Sequence, residues 1–109
     1  MTAETALKFA KVCMGWEDAK LVKRRFGYKI YSKGYALFDH PDWYAVIGAV
    51  KVFCDKHQLE PCLKRVAGAK LVIGEIKAPL WTIASAGRVS PCQSLMEACI
   101  AAAEKMEGV

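Results

Sequence analysis

Residues 20–33 hold the densest set of side chains that could bind a ligand. The segment has six basic residues, no acidic residue and three interleaved aromatic residues. Lysine and arginine release counterions from phosphates, and aromatic rings stack on exposed bases. The candidate nucleic-acid-binding residues are Lys20, Lys23, Arg24, Arg25, Phe26, Tyr28, Lys29, Tyr31 and Lys33. We favour a plainer interpretation, a solvated basic loop anchored to the core by its aromatic side chains, since charge runs of this length are common on protein surfaces.

A second group has the residue types of a metal site. Cys54 and His57 lie three residues apart and Cys62 follows, so they could hold zinc if a fourth ligand came from elsewhere. Cys54 and His57 also fall on the apolar face of a predicted helix, where both would pack as core residues. We therefore expect no metal and no cofactor. The chain has five cysteines and no C-x-x-C pair, which is typical of reduced thiols in a cytoplasm.

The residue types of acid–base catalysis form a small polar cluster at Asp39, His40 and Asp42. These residues precede a predicted helix, where capping and the helix dipole explain the two aspartates without any chemistry. The chain also has no G-x-S-x-G, P-loop or dinucleotide-binding glycine pattern. We predict that the protein is not an enzyme and has no catalytic residues.

Apolar residues at helical spacing predict three helices that would position these groups. The first runs from about Ala3 to Met14 and ends at Gly15. The second is capped by Asp39 or His40 and has Pro41 in its first turn. The third begins with a capping box of Ser90 and Gln93, with Gln93, Glu97 and Glu104 turned away from the core. The predicted core-facing positions are Ala3, Leu7, Ala10 and Met14; Trp43, Val46, Ile47, Val50, Phe53, Cys54 and His57; and Leu95, Cys99, Ala102 and Met106.

Three strands should separate the last two helices, at Cys62–Val66, Ala69–Lys77 and Leu80–Ser85. Gly68 supplies a hairpin turn, Pro79 interrupts the pairing, and Ala86-Gly87 turns the chain toward the third helix. Residues 16–40 fit either strands or an extended connection. The order predicts one α+β domain over residues 1–109: an antiparallel β-meander of three or more strands, packed with two long helices and an N-terminal helix in an α-β-α sandwich-like arrangement.

Composition fits this fold class, with 54% hydrophobic and 25% charged residues in 109. The net charge of +5 is uneven: eight basic minus four acidic residues give +4 in residues 1–40, and eight minus seven give +1 in the rest. No apolar run reaches the roughly 18–20 residues of a membrane span. The N-terminal segment, with Glu4, Lys8 and Lys11, is neither a signal peptide nor an anchor. We expect a cytoplasmic protein with no membrane partner.

Three stretches carry a family resemblance: Ala10–Trp16 with the helix before it, PDWYAVIGAVKVFCDKH at 41–57, and the meander leading into SPCQSLMEACIAAA at 90–103. They resemble the first helix, the long middle helix and the closing helix of the phage ABA-sandwich domain family, small proteins of phage and prophage origin. The basic segment departs from that family, in which this region is a polar loop rich in tryptophan and proline. The resemblance implies the fold and a viral or prophage setting, and it supplies no activity.

Residues 42–107 also have the α-β-β-β-α order of double-stranded-RNA-binding domains. That family grips phosphates with lysines at the start of its last helix. The equivalent turn here, residues 90–94, is followed by no basic residue until Lys105. The order of the elements therefore matches that family, but the phosphate-binding lysines are absent.

Our leading hypothesis is a non-enzymatic, phage- or prophage-like accessory protein that acts through contacts with a protein partner, including a second copy in a homodimer. Trp16, Trp43 and Trp81 are expected in the core or at its edge, and one of them on an open face would mark a self-association surface. The alternative is a nucleic-acid-binding module that uses residues 20–33.

Overall fold

Helices and two antiparallel sheets make up the described part of the chain. The computed structural model describes residues 3–23, 25, 28–32, 35–39 and 43–107, with the backbone alone at 35–39, 43–45 and 107. Within these ranges the elements are α1 (Ala3–Val12), β1 (Lys20–Lys23), β2 (Tyr28–Ser32), β3 (Tyr35–Asp39), α2 (Trp43–Lys56), β4 (Glu60–Arg65), β5 (Val72–Lys77), β6 (Thr82–Arg88) and α3 (Pro91–Glu107). The N-terminal sheet has the order β1-β2-β3 and the C-terminal sheet the order β4-β5-β6. The predicted α+β class, with a three-stranded meander packed with helices, is confirmed.

The N-terminal sheet occupies the segment that the sequence left open between strands and an extended connection. Along β2, Tyr28, Ile30 and Ser32 are buried while Lys29 and Tyr31 are partly exposed. This alternation is that of a strand with one face toward a core. The Ser32 hydroxyl donates a hydrogen bond of 2.6 Å to Asp18, which ties β2 to the connection between α1 and β1. Both aromatic stretches of this segment are therefore strands.

The C-terminal sheet follows the predicted order, but apart from the end of β5 at Lys77 every strand boundary is shifted by one to three residues from the predicted one. Gly68 has a φ of 78° in the β4–β5 turn, and Pro79 lies in the β5–β6 turn, as predicted. The pair Ala86-Gly87, predicted as a turn, lies inside β6, opposite Gly74 and Ile73 of β5. Strand pairing therefore continues to Arg88, beyond the predicted end of the strand at Ser85.

Helix α3 lies at the centre of the core, against β5 and β6 on one side and α1 and α2 on the others. The predicted inner positions Leu95, Cys99 and Ala102 are buried and Met106 is partly buried, as expected. Gln93 was predicted on the solvent side and is buried instead. Its side-chain amide donates a hydrogen bond of 2.9 Å to the Thr5 hydroxyl. Helix α1 therefore covers the side of α3 that carries Gln93, which we had predicted to be exposed to solvent.

The buried face of α1 is rotated from the predicted one. Ala6, Phe9 and Ala10 have no exposed surface, whereas Leu7 and Met14, both predicted to face the core, are only partly buried. Packing against α3 and β2 at once selects the face with the phenylalanine, since its ring buries the largest apolar area. The glycine after the helix, at position 15, takes a φ of 69°, as predicted.

Helix α2 ends one residue before His57, and the prediction of a core histidine was wrong. Gln58 has a φ of 58°, the Leu59 amide donates to the Cys54 carbonyl at 2.8 Å, and the Gln58 amide donates to the Asp55 carbonyl at 3.3 Å. This is a Schellman ending, which turns the chain out of the helix. His57 is exposed and contacts the Phe53 ring with centroids 4.8 Å apart.

The backbones of β5 and α3 pack closely together at Gly74. A Cβ atom added to Gly74 would lie 2.7 Å from the Ser94 backbone carbon and 2.8 Å from the Leu95 amide nitrogen. Neither atom can move without shifting α3. The Ser94 hydroxyl, fully buried, donates to the Val72 carbonyl at 2.7 Å and accepts from the Arg88 amide at 3.0 Å. One serine therefore bridges two strands and the helix.

We predict that Gly74→Ala destabilises the protein by about 1–3 kcal/mol or more, because the added methyl group overlaps the α3 backbone. Gly48→Ala is the matched control, since the space around Gly48 in α2 is open. That substitution should be neutral or stabilise by up to about 1 kcal/mol through helix propensity. Urea unfolding of the two variants measures the difference. Equal stabilities would contradict the close contact.

Candidate functional site

The outer face of the β1–β2 hairpin carries part of the predicted nucleic-acid-binding set. Lys20 lies directly opposite Tyr31, and Val22 lies opposite Lys29. Residues opposite each other in an antiparallel pair share a face, so two lysines and a tyrosine lie together on the side of the sheet turned away from the core. Lys20 and Val22 are exposed, and Lys29 and Tyr31 are partly exposed. We call Lys20, Val22, Lys29 and Tyr31 the hairpin face.

Side chains on and beside the hairpin face also interact with other groups of the protein. Arg25, Lys29 and Tyr31 each already take part in an interaction within the protein. Asp39 of β3 is paired with Lys29 in the strand register, which places an acidic residue beside the basic ones. The remaining cations described in this segment, Lys20 and Lys23, are exposed at the edge strand. The hairpin face is thus basic and half-exposed, with an acidic neighbour.

Tyr28 cannot act as a stacking platform, because its side chain belongs to the core. The residue is only 8% exposed and its hydroxyl has no hydrogen-bond partner among the described residues. Burial, followed by the neighbouring Cys92 and Glu4, raises the pKa of Tyr28 to about 12. This burial does not suit the base-stacking role that the predicted binding set would give Tyr28. The anchoring role that we favoured for the aromatic residues is the one that Tyr28 has.

Several predicted residues lie outside the described part of the chain. These are Arg24, Phe26 and Lys33 of the basic segment, and His40, Asp42 and Pro41 before α2. Asp39 is described through its backbone, as the last residue of β3. The acid–base cluster of Asp39, His40 and Asp42 therefore stays a sequence-based hypothesis.

The three candidate zinc ligands are not brought together. Cys54 is fully buried in α2, His57 is exposed beyond the end of that helix, and Cys62 lies half-buried on β4. Among the residues that the structure describes, no group of three or more histidine, cysteine or acidic side chains could hold a metal ion.

Cys54 instead forms a thiol pair with Cys99 of α3. The hydrogen bond between the two sulfur atoms and the burial of the site raise the pKa of Cys99. The same hydrogen bond lowers the pKa of Cys54. Both residues have no exposed surface and both are free thiols, as the apolar spacing predicted. A thiol held in this way is a small core residue rather than a nucleophile.

A buried carboxylate, that of Glu75, lies on the face of the C-terminal sheet turned away from α3. Its residue is 8% exposed, Lys64 lies 3.0 Å from one carboxylate oxygen, and the Thr82 hydroxyl donates to the other at 3.2 Å. Lys64, and then Thr82 and Lys77, hold the pKa of Glu75 below its ordinary value despite burial. Glu75 in turn raises the pKa of Lys64. An ionised carboxylate held this way suits a structural role better than general acid–base catalysis.

Two large apolar side chains stand in solvent at the β5–β6 turn. Leu80 is 95% exposed and Trp81 is 63% exposed, so the prediction of a tryptophan in the core or at its edge was wrong for Trp81. Trp16 is partly buried against the core, as expected. Leu80 and Trp81, predicted at the start of the third strand, lie instead in the turn before β6, which begins at Thr82.

None of the helices in the described ranges combines the length and apolar content that a membrane span requires. The chain matches no protein-family model, and no curated protein or solved structure is significantly similar to it. The resemblance to the phage ABA-sandwich domain family therefore stays a prediction.

Glu75→Gln should remove part of the acid sensitivity of folding. Because the pKa of Glu75 is lowered in the folded state, its stabilisation is present above the unfolded-state pKa and is lost as pH falls through the folded value. We expect the urea midpoint of the wild type to fall more steeply than that of Glu75→Gln between about pH 5 and about pH 3. Parallel curves would show that the Lys64 and Thr82 contacts do not favour the ionised form.

Proposed function

We propose that the protein is a non-enzymatic accessory protein that acts through protein contacts, beginning with a homodimer, and that Leu80 and Trp81 form the contact. The observation that carries this proposal is the exposure of both side chains at one turn. Tryptophan is the residue type most enriched among side chains that dominate binding energy at interfaces. Burial of both side chains against a partner would stabilise the complex, because it removes apolar surface from water.

Local geometry explains why these residues are presented. The Ala78 amide donates to the Trp81 carbonyl at 2.9 Å across the four-residue connection between β5 and β6, which carries Pro79 and Leu80 at its tip. Proline fixes one backbone torsion angle of this connection and so limits the conformational freedom of the tip. A rigid apolar tip loses little conformational entropy on binding, which favours affinity.

The edges of the C-terminal sheet are poorly suited to self-association, which leaves the turn as the better contact. Pro61 removes an amide donor from edge strand β4. On the opposite edge, the Lys105 ammonium donates to the Ile83 carbonyl of β6 at 2.7 Å. Blocked edges of this kind are a common defence against strand pairing between copies.

Support for a non-enzymatic role comes from the polar groups that hold the fold together. Ser94, Gln93 and Glu75 each bind other parts of the chain. The free thiols support a reducing compartment such as the cytoplasm. The resemblance of three stretches to a phage family supports a phage or prophage setting.

We predict that Leu80→Ser with Trp81→Ser raises the homodimer dissociation constant at least about tenfold, since burial of each side chain contributes about 1.5–3 kcal/mol. Sedimentation over a range of concentrations measures the effect. Val52→Ser is the matched control, because Val52 on α2 is 65% exposed, close to the value for Trp81. A monomeric wild type at all concentrations would refute the proposed homodimer, as would an equal loss in the control.

The hairpin face favours a second candidate function, binding of a single-stranded nucleic acid. Lys20 and Lys29 flank Tyr31, so phosphates and one base could be engaged from the same side of the sheet. The departures described above, a buried Tyr28 and a nearby Asp39, make this surface smaller than the sequence suggested. We therefore rank this function second.

Lys20→Ala with Lys29→Ala should weaken binding of single-stranded oligonucleotides at low salt. We expect the slope of log affinity against log salt to fall by about 0.7 for each phosphate that the variant no longer neutralises. Lys51→Ala with Lys56→Ala has the same net charge and changes only exposed positions of α2. Fluorescence anisotropy with both double variants separates a local surface from a general charge effect. No binding at low ionic strength, or an equal weakening in both variants, would exclude the hairpin face.

A further inference from the structure

The β4–β5 turn carries a basic and apolar surface that the proposed functions do not use. Residues 61–74 include Lys64, Arg65 and Lys70 and no acidic residue. Every residue from position 63 to position 71 is exposed. Lys64 is engaged by Glu75, whereas neither Arg65 nor Lys70 is paired with a carboxylate of the described residues. Two cations are therefore available at this end of the sheet.

Backbone hydrogen bonds shape this turn and set aliphatic side chains beside the cations. The Ala69 amide donates to the Val66 carbonyl at 3.2 Å, and the Val66 amide donates to the Leu71 carbonyl at 3.4 Å. Leu71 is 44% exposed, and Val89, on the connection to α3, is 71% exposed. Both line a shallow depression of about 280 Å³ together with Arg65 and Lys70. We call Arg65, Lys70, Leu71 and Val89 the basic turn.

A groove of the opposite charge runs between α1 and α3. It has a volume of about 400 Å³ and is lined by Glu4, Thr5, Lys8, Glu97, Ile100, Ala101 and Glu104. Three carboxylates face one ammonium in this lining. Glu104 lies 3.0 Å from Lys8, and Glu97 lies 2.8 Å from Arg88. Glu4 is exposed and has no such partner among the described residues. We call these seven residues the acidic groove.

We propose that the basic turn of one copy docks in the acidic groove of a second copy. The two surfaces are complementary in charge, and each also has aliphatic side chains, Leu71 and Val89 on the turn and Ile100 and Ala101 in the groove. Neither surface is complementary to itself, so the contact is head-to-tail. This association does not involve Leu80 or Trp81, and it can fail while the proposed homodimer stands.

Head-to-tail contacts have a consequence that a two-fold dimer lacks. Each copy in such a contact keeps one unused turn or one unused groove, so further copies add until a ring closes or a filament grows. Exposed ion pairs contribute little affinity and are screened by salt, so the charges set orientation and encounter rate. Most of the affinity must come from burying the aliphatic side chains.

The test uses the full chain and two double variants with neutral substitutions. Arg65→Ala with Lys70→Ala removes the charges of the turn, and Glu4→Gln with Glu104→Gln removes two charges of the groove. Each variant alone should associate about three- to tenfold more weakly than the wild type, which is the loss expected for two exposed ion pairs. Mixed together, they keep one intact turn and one intact groove, so an unlike pair should form about three- to tenfold more tightly than either like pair, as a 1:1 complex that does not grow.

Matched controls carry the same charge changes elsewhere. Lys51→Ala with Lys56→Ala controls for the turn, and Glu17→Gln with Glu60→Gln, both exposed positions, controls for the groove. Thermal unfolding checks that all variants fold. Sedimentation equilibrium measures the like pairs, and anisotropy with one labelled variant measures the unlike pair. The proposal is overturned if the wild type does not associate beyond what Leu80 and Trp81 explain, if the controls weaken association equally, or if the mixture shows no gain over the separate variants.

Discussion

The fold depends on the contact in which α3 crosses β5 at Gly74. The absence of a side chain there lets the helix backbone approach to within van der Waals distance, and the Ser94 hydroxyl then reaches Val72 and the Arg88 amide at once. A buried hydroxyl is stabilising only when its partners are in place, because an unpaired polar group in the core costs the desolvation free energy. The same serine therefore holds α3 at one angle and one register on the sheet, and any slip would leave two backbone groups without partners.

Everything else is arranged around α3 once that angle is set. Helix α1 is attached through the bond of Gln93 to Thr5 and the exposed pair of Lys8 and Glu104, and α2 is attached through the thiols of Cys54 and Cys99. The sheet, α1 and α2 leave little of α3 in solvent. Contact surfaces are consequently confined to turns, outer faces and the groove between helices. The candidate binding surfaces of this chain therefore lie on the outside of the fold, because α3 fills the core.

The features that could be predicted from sequence are those that local chemistry decides. Positive φ at Gly15 and Gly68, the Ser90 cap, which accepts from the Gln93 amide at 3.4 Å, and the buried stripe of α3 all follow from nearby residues. The wrong predictions concern distant neighbours. Gln93 was predicted to be exposed because its partner, Thr5, is 88 positions away in the sequence and no local pattern connects the two. Trp81 was predicted in the core or at its edge because the strand pattern of its segment does not show that the turn projects from the sheet. For the candidate site, charge and aromatic content located the hairpin face, but only strand register could separate Tyr31, which faces outward, from Tyr28, which faces the core.

The thiol pair shows why the chemistry of this protein is to be sought on its surface. Cys54 and Cys99 are fully buried. No cation is among the groups that shift the pKa of either thiol, so a thiolate formed here would have no positively charged neighbour to stabilise it. Because both thiols are buried among apolar side chains, they pack as two small hydrophobes. Positive charge lies instead at the ends of the sheets, at Lys20, Arg65 and Lys70, where water is present and partners can approach.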